Sequence, residues 1–191
     1  MINAPQVLTV LVGNPLVSAL FILLFVVVLT SFVPRRKEKS SVSRHRRYRA
    51  NAERVFHRLS GLRGDVQRIG CLRKINPYVF EELLLLAFER QRHAIKRNAS
   101  YSDDGGIDGQ VFINGKRYLI QAKRYGKSIT PAHIGEFGEL LNKELCEGFF
   151  IHTGRTGHMS RQGLRTYPHI HLISGQRLLD LLGGKDGWYI R

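Results

Sequence analysis

Apolar and polar positions divide the chain into three stretches with different periods. Over residues 7–33 nearly every position is apolar, so no face is left for water. Asn14-Pro15 pairs a capping residue with a first-turn proline, which predicts a helix over 15–33. Such a helix rises about 28 Å at about 1.5 Å per residue, close to the roughly 30 Å of a hydrocarbon core. From Tyr48 the apolar positions step by four and three, through Ala52, Val55, Leu59, Leu62, Val66 and Ile69. That heptad-like stripe predicts an amphipathic helix, weakened at Gly61 and Gly64 by roughly 1 kcal/mol each against alanine.

Beyond residue 75 helical and strand periods alternate. Asn76-Pro77 again pairs a cap with a first-turn proline, opening a helix that runs to about Gln91. At about 100° per residue, Leu83, Leu84, Ala87 and Phe88 cluster around Phe80. Glu81 then falls on the rim of that stripe, and Glu82 on the opposite side, facing water. Residues 93–99 predict a first strand. Residues 110–113 and 117–122 predict a hairpin, because Asn114-Gly115 between them is the strongest short turn signal. A helix over 130–145, a core strand over 147–152, a helix over 160–167, a strand over 170–173 and a last helix capped by Ser174 follow. The order α-β-β-β-α-β-α-β-α predicts a mixed α/β fold.

The hairpin carries the chemistry. Residues 102–127 read SDDGGIDGQVFINGKRYLIQAKRYGK. Asp108 opens one strand, and Gln121 and Lys123 close the other, so a carboxylate, an amide oxygen and an ammonium meet at one sheet end. A hard divalent cation takes oxygen ligands of this kind. A lysine beside it orients or deprotonates a water and stabilises charge developing on phosphorus. The alternative is a solvated acidic turn beside an exposed strand edge.

GGIDG followed by QAKRY resembles the Mrr-type catalytic domain of the PD-(D/E)xK nuclease superfamily, in which glutamine often takes the third position. The likeness covers about residues 76–182. It implies a restriction-endonuclease-like mixed sheet flanked by helices, Mg²⁺ or Mn²⁺ as cofactor, and double-stranded DNA as substrate. By resemblance Asp108, Gln121 and a helix glutamate directly after a phenylalanine, here Glu81, hold the metal, with Lys123 completing the catalytic set. Asp104 assists or only shapes the loop. Related domains act in type IV restriction of modified DNA.

Net charge is +15, which points to a polyanionic partner, nucleic acid or an anionic membrane surface. Its distribution is uneven. Residues 1–34 carry no charge, and residues 35–74 hold fourteen Lys and Arg against three acids. Residues 75–191 hold sixteen against twelve. No basic residue precedes Arg35 and the context at 31–34 suits cleavage poorly, so a signal peptide fits less well than a single membrane anchor. The basic residues that follow place the C-terminal part in the cytoplasm, at the inner membrane of the cell. The expected divisions are therefore an anchor over 1–34, a basic linker with an amphipathic helix over 35–74, and a nuclease domain over 75–191. Within the linker, residues 35–43 read as flexible. The helix is open to four roles: packing on the domain, lying on lipid, dimerising into a homodimer, or touching DNA. Arg124 and Lys127 in the loop after the hairpin, and Arg161 and Arg165 on a later helix, are the candidate phosphate contacts. Cys71 and Cys146 match no metal or redox spacing, and the eight histidines form no evident metal cluster. A catalytically inactive membrane-tethered DNA-binding module is the alternative to a nuclease.

Overall fold

The computed structural model describes residues 40–98 and 106–189, with residues 15, 19, 20 and 22–25 of the N-terminal segment. The chain divides into two compact units, Met1–Ser40 and Ser41–Arg191. In the first, the described residues are helical, and Leu20, Ile22, Leu23, Leu24 and Phe25 are all exposed. Among the described residues no helix is long and apolar enough to cross a membrane. Most of the expected anchor over 1–34, and residues 35–39 of the linker, lie outside them.

The second unit begins with helix α1, Ser40–Gly61. Its stripe buries Ala52, Phe56 and Leu59 in the same core as the later elements. Ion pairs Arg49–Glu89 and Arg90–Glu53 and the tilted contact between the rings of Tyr48 and Tyr78 line its edges. Exposed pairs of that sort contribute about 0–1 kcal/mol each. A large apolar side chain fully buried contributes about 1.5–3 kcal/mol, so the apolar stripe is what holds the helix down. The linker therefore packs, from Ser41 on, as part of the second unit, and residues 40–43 expected to be flexible are its first helical turn. The stripe does not continue as one helix. It stops at Gly61, Gly64 caps helix α2 (Asp65–Leu72) in an extended conformation, and Val66 is left exposed.

Helix α3, Pro77–Arg90, starts where Asn76 accepts a hydrogen bond from the Tyr78 N–H at 2.9 Å and proline takes the first turn. Strand β1 (Ala94–Lys96) follows, then β2 (Gly109–Ile113) and β3 (Lys116–Lys123). Asn114 and Gly115 both have positive φ, 51° and 78°, as a tight hairpin with right-handed strand twist requires. After β4 (Ser128–Ile129) come α4 (Pro131–Glu144), β5 (Glu147–His152), β6 (Arg155–Thr156), α5 (His158–Thr166), β7 (Ile170–Ser174) and α6 (Gln176–Gly183).

The main sheet has the order β1-β2-β3-β5-β7, antiparallel through β3 and parallel from β3 to β7. Its parallel connections run through α4 and α5, since parallel neighbours need a crossover. One core lies between a sheet face bearing Val111, Ile120, Phe149 and Ile151 and a layer that includes α1, α3 and α6. The other lies between Leu119 and Phe150 and helix α4, through Ile134, Phe137 and Leu141. Strand β3 is thus covered on both faces, and Tyr118 to Gln121 are buried without a break. The mixed sheet flanked by helices is the expected fold class. The two-residue parallel pair β4–β6 is an addition, too short to show a period in sequence. The expected serine cap is also displaced: Gly175, at φ 54°, occupies the position before α6, and Ser174 ends β7.

Candidate active site

The hairpin register pairs Gly109 with Ile120, and its continuation sets Asp108 opposite Gln121. The Asp108 N–H donates to the Ile120 carbonyl at 2.8 Å, and its carboxylate Oδ2 accepts from the Ala122 N–H at 2.6 Å. Asp108 is therefore bolted to β3 by its backbone and its side chain. Alternation along β3 puts Gln121 and Lys123 on the face of Leu119. Gln121 is buried at 4 % exposure, and its Oε1 meets no hydrogen-bond donor among the described residues. A buried carbonyl oxygen left unpaired costs about 1–3 kcal/mol. Its amide nitrogen lies against the loop: a Cβ at Gly106 would come 2.8 Å from Nε2, and Gly106 has φ 87°. The backbone conformation demands glycine there. Asp103, Asp104 and Gly105 lie outside the described residues.

Glu81 reaches the same end from α3. Its pKa is pushed up to about 8, chiefly by burial, then by the negative charges of Asp108 and Glu82, with Lys123 pulling the other way. The carboxyl thus senses both the hairpin acid and the hairpin lysine. Two crowded carboxylates and an orphaned amide oxygen fit a hard divalent cation, which binds through one or two carboxylates and keeps several waters. Among the described residues no three His, Cys, Asp or Glu side chains form a metal-holding group.

Glu82 does not face water, as its place on the helical wheel predicted. It is 1 % exposed, accepts from Arg97 Nε at 3.0 Å and lies 3.3 Å from His45 Nδ1. Helix α1 and the segment after β1 cover that side of α3, which a wheel drawn for one helix leaves to solvent. Arg97 also reaches Glu89 at 3.2 Å, and Asn98 donates to the Ile107 carbonyl, so the neck of the loop leading to Asp108 is fastened at both sides.

The candidate phosphate contacts divide. Lys127, Arg161 and Arg165 are exposed, the last two one turn apart on α5. Arg124 is half-buried and donates through Nη1 to the Arg73 carbonyl, which commits it to the fold. Arg73 in turn donates to the Thr153 carbonyl at 2.9 Å, and Thr153 Oγ1 to Tyr125 at 2.9 Å, so this loop is pinned and not merely solvated. Arg155 was missed by the sequence reading. It is exposed beside Lys127, its N–H bonded to the Lys127 carbonyl at 3.3 Å, and β4–β6 pairing brings the two together. The signal that would have found it, glycine at 154, is physical: a Cβ there would sit 2.2 Å from the Lys127 carbonyl oxygen.

A family model described as restriction endonuclease matches residues 72–182, more than half of the chain. Neither curated proteins nor solved structures gave a match.

Proposed function

The chain belongs to the restriction endonuclease family, and from that premise we propose that it is a membrane-anchored, divalent-cation-dependent DNA endonuclease acting in type IV restriction of foreign, modified DNA. The observation that carries this reading is the meeting of Asp108, Gln121, Lys123 and Glu81 at one sheet end, with the Gln121 Oε1 buried and unpaired. Asp108, Gln121 through Oε1, and Glu81 would hold Mg²⁺ or Mn²⁺. Bound there, the cation supplies positive charge at the scissile phosphate and lowers the pKa of the attacking water. Asp108 is fixed in place by the Ala122 N–H, which donates to its Oδ2. Lys123 orients the water and offers an ammonium to charge developing on phosphate. Lys127, Arg155, Arg161 and Arg165 hold the backbone of the duplex. Anchoring draws support from the charge-free residues 1–34 and from the exposed, helical Leu20 and Ile22 to Phe25. Arg35 onward then faces the cytoplasm.

Plasmid DNA incubated with the detergent-solubilised full chain tests this. Nicked or linear product is expected only with Mg²⁺ or Mn²⁺, and Asp108→Ala or Lys123→Ala should remove it. Cleavage that survives both substitutions overturns the site. Salt-sensitive retention of DNA with no cleavage and no metal requirement would leave a DNA-tethering module instead.

A further inference from the structure

Among the described residues, the buried side-chain atoms without a hydrogen-bond partner are Gln121 Oε1, Arg124 Nε and His152 Nδ1. All three belong to the carboxyl ends of β3 and β5 or the residue just beyond, the sheet end that carries Asp108 and Lys123. Buried polar groups are overwhelmingly paired, so their concentration on two neighbouring strand ends marks a place built for something more. Gln121 has the cation to account for it, and Arg124 spends another nitrogen on Arg73. His152 has no role in the site as described so far.

His152 is fully buried, and its Cα is the register partner of Lys123 across the parallel β3–β5 pair. Parallel neighbours lie about 4.8 Å apart and residues in register point to one face. Alternation from Phe150, whose ring centroid is 6.1 Å from that of His152, puts the imidazole on the face of Gln121 and Lys123. The far nitrogen, Nε2, lies 3.3 Å from Thr156 Oγ1. Burial holds the pKa of the ring down to about 4, so it is neutral and one nitrogen is bare. With the proton on Nε2 and directed at Thr156, Nδ1 is an acceptor at the strand position in register with Lys123, whose ammonium has three donors and no acceptor. The opposite tautomer would bury an Nδ1–H with no acceptor among the described residues.

We propose that His152 is a positioning residue of the nuclease site, its Nδ1 accepting a hydrogen bond from the Lys123 ammonium and holding that ammonium toward the attacking water. This rests on the role given to Lys123 above. Such bonds are often long without substrate and tighten when the site is loaded.

Three full-length variants and one spectrum test it. His152→Phe keeps the ring volume and the contact with Phe150 but removes the acceptor. It should lower kcat on the order of 10–100-fold, the usual loss for a group that orients a site residue, with KM for DNA unchanged. His152→Asn sets an amide oxygen where Nδ1 was and should recover most of that loss, whereas a purely space-filling role would be met by phenylalanine and not by asparagine. Nitrogen-15 resonances of the histidine rings in the full chain should show a bare Nδ1 at His152, and Lys123→Met should move it. A protonated Nδ1, an Nδ1 indifferent to Lys123→Met, or wild-type kcat in His152→Phe overturns the proposal. If the wild-type chain cuts no DNA with any divalent cation, the nuclease reading fails, and the nitrogen spectrum alone then decides whether His152 and Lys123 are coupled.

Discussion

Strands β3 and β5 run side by side, and their two ends treat charge in opposite ways. At the amino ends Lys116 pairs with Glu147, His171 Nε2 lies 2.6 Å from the other Glu147 oxygen, and Arg117 meets Glu144 at 3.2 Å. Burial would raise the Glu147 pKa, but the hydrogen bonds from Lys116 and His171 outweigh it and hold it below the ordinary carboxylate value. At the carboxyl ends Glu81 and Asp108 crowd one another, the Glu81 pKa climbs to about 8, and buried polar atoms lack partners among the described residues. One end has its charges matched within the fold. The other withholds that match, which is what a site does when its remaining partners arrive from outside. Perturbed groups without internal compensation therefore point to function, while equally conspicuous paired ones point to stability.

The largest test of this contrast uses the two lysines that bracket β3. Lys123→Ala should cost cleavage on the order of 10²–10⁴-fold, the range for removing a group that acts in the transition state. Lys116→Ala should leave the rate of cleavage within about two-fold, because its partner Glu147 is far down the strand and already bonded to His171. Equal losses from both would mean that the two ends differ only in appearance. Initial rates on supercoiled plasmid at saturating Mg²⁺ give the comparison directly.

A smaller effect, but one with opposite signs, comes from making the same substitution at each end. The raised pKa of Glu81 means that between about pH 4.5 and pH 8 the folded chain keeps a proton the unfolded chain has shed. Stability of the cation-free protein therefore falls as pH rises through that window. Glu81→Gln should remove this slope and raise the melting temperature at pH 7, by on the order of 1 kcal/mol or about 2–4 °C. Glu147, held below its ordinary value, contributes stability above that value and loses it as pH falls. Glu147→Gln should therefore lower the melting temperature at pH 7, by less than about 1 kcal/mol since the group is partly exposed. Melting curves of both variants from pH 5 to 8 without divalent cation would show it. Two shifts of the same sign would break the comparison.

What the sequence made legible, and what it did not, follows the range of the interactions concerned. The hairpin, its Asn114-Gly115 turn and the Asn76-Pro77 start of α3 rest on contacts between near neighbours, so local spacing sufficed. Asp108 meeting Gln121 came with the hairpin, because register is set by the turn. Glu82 was misplaced because its cover comes from His45 and Arg97, 37 and 15 residues away. Leu119, buried on the face of Gln121 and Lys123, is not marked by alternation, which assumes one solvated face where this strand has none. The pinned state of Arg124 depends on Arg73, 51 residues earlier. His152 read as an ordinary end to a core strand, for nothing local says that its register partner is a lysine. The hairpin residues, and Glu81 on the rim of its own helix stripe, could be read from local pattern, whereas contacts made between strands or by helices distant in sequence could not.

The smallest effect concerns the exposed cations beside each end. Each cation that neutralises a DNA phosphate adds about 0.9 to the slope of log affinity against log salt. Lys127 and Arg155 are exposed and adjacent, at the end where Asp108 and Lys123 lie. Lys127→Ala and Arg155→Ala should each flatten the salt slope by about 1 and weaken binding alike for every sequence, with kcat at saturating DNA unchanged. Lys116→Ala removes the same charge from the other end of the strand and should leave the slope where it was. The decisive reading is the difference in slope, not in affinity, because any lost cation lowers affinity a little through the overall field. If Lys116→Ala flattened the slope as much as Arg155→Ala, the duplex would lie along both ends of the sheet, and matched charge within the fold would no longer distinguish a structural end from a working one.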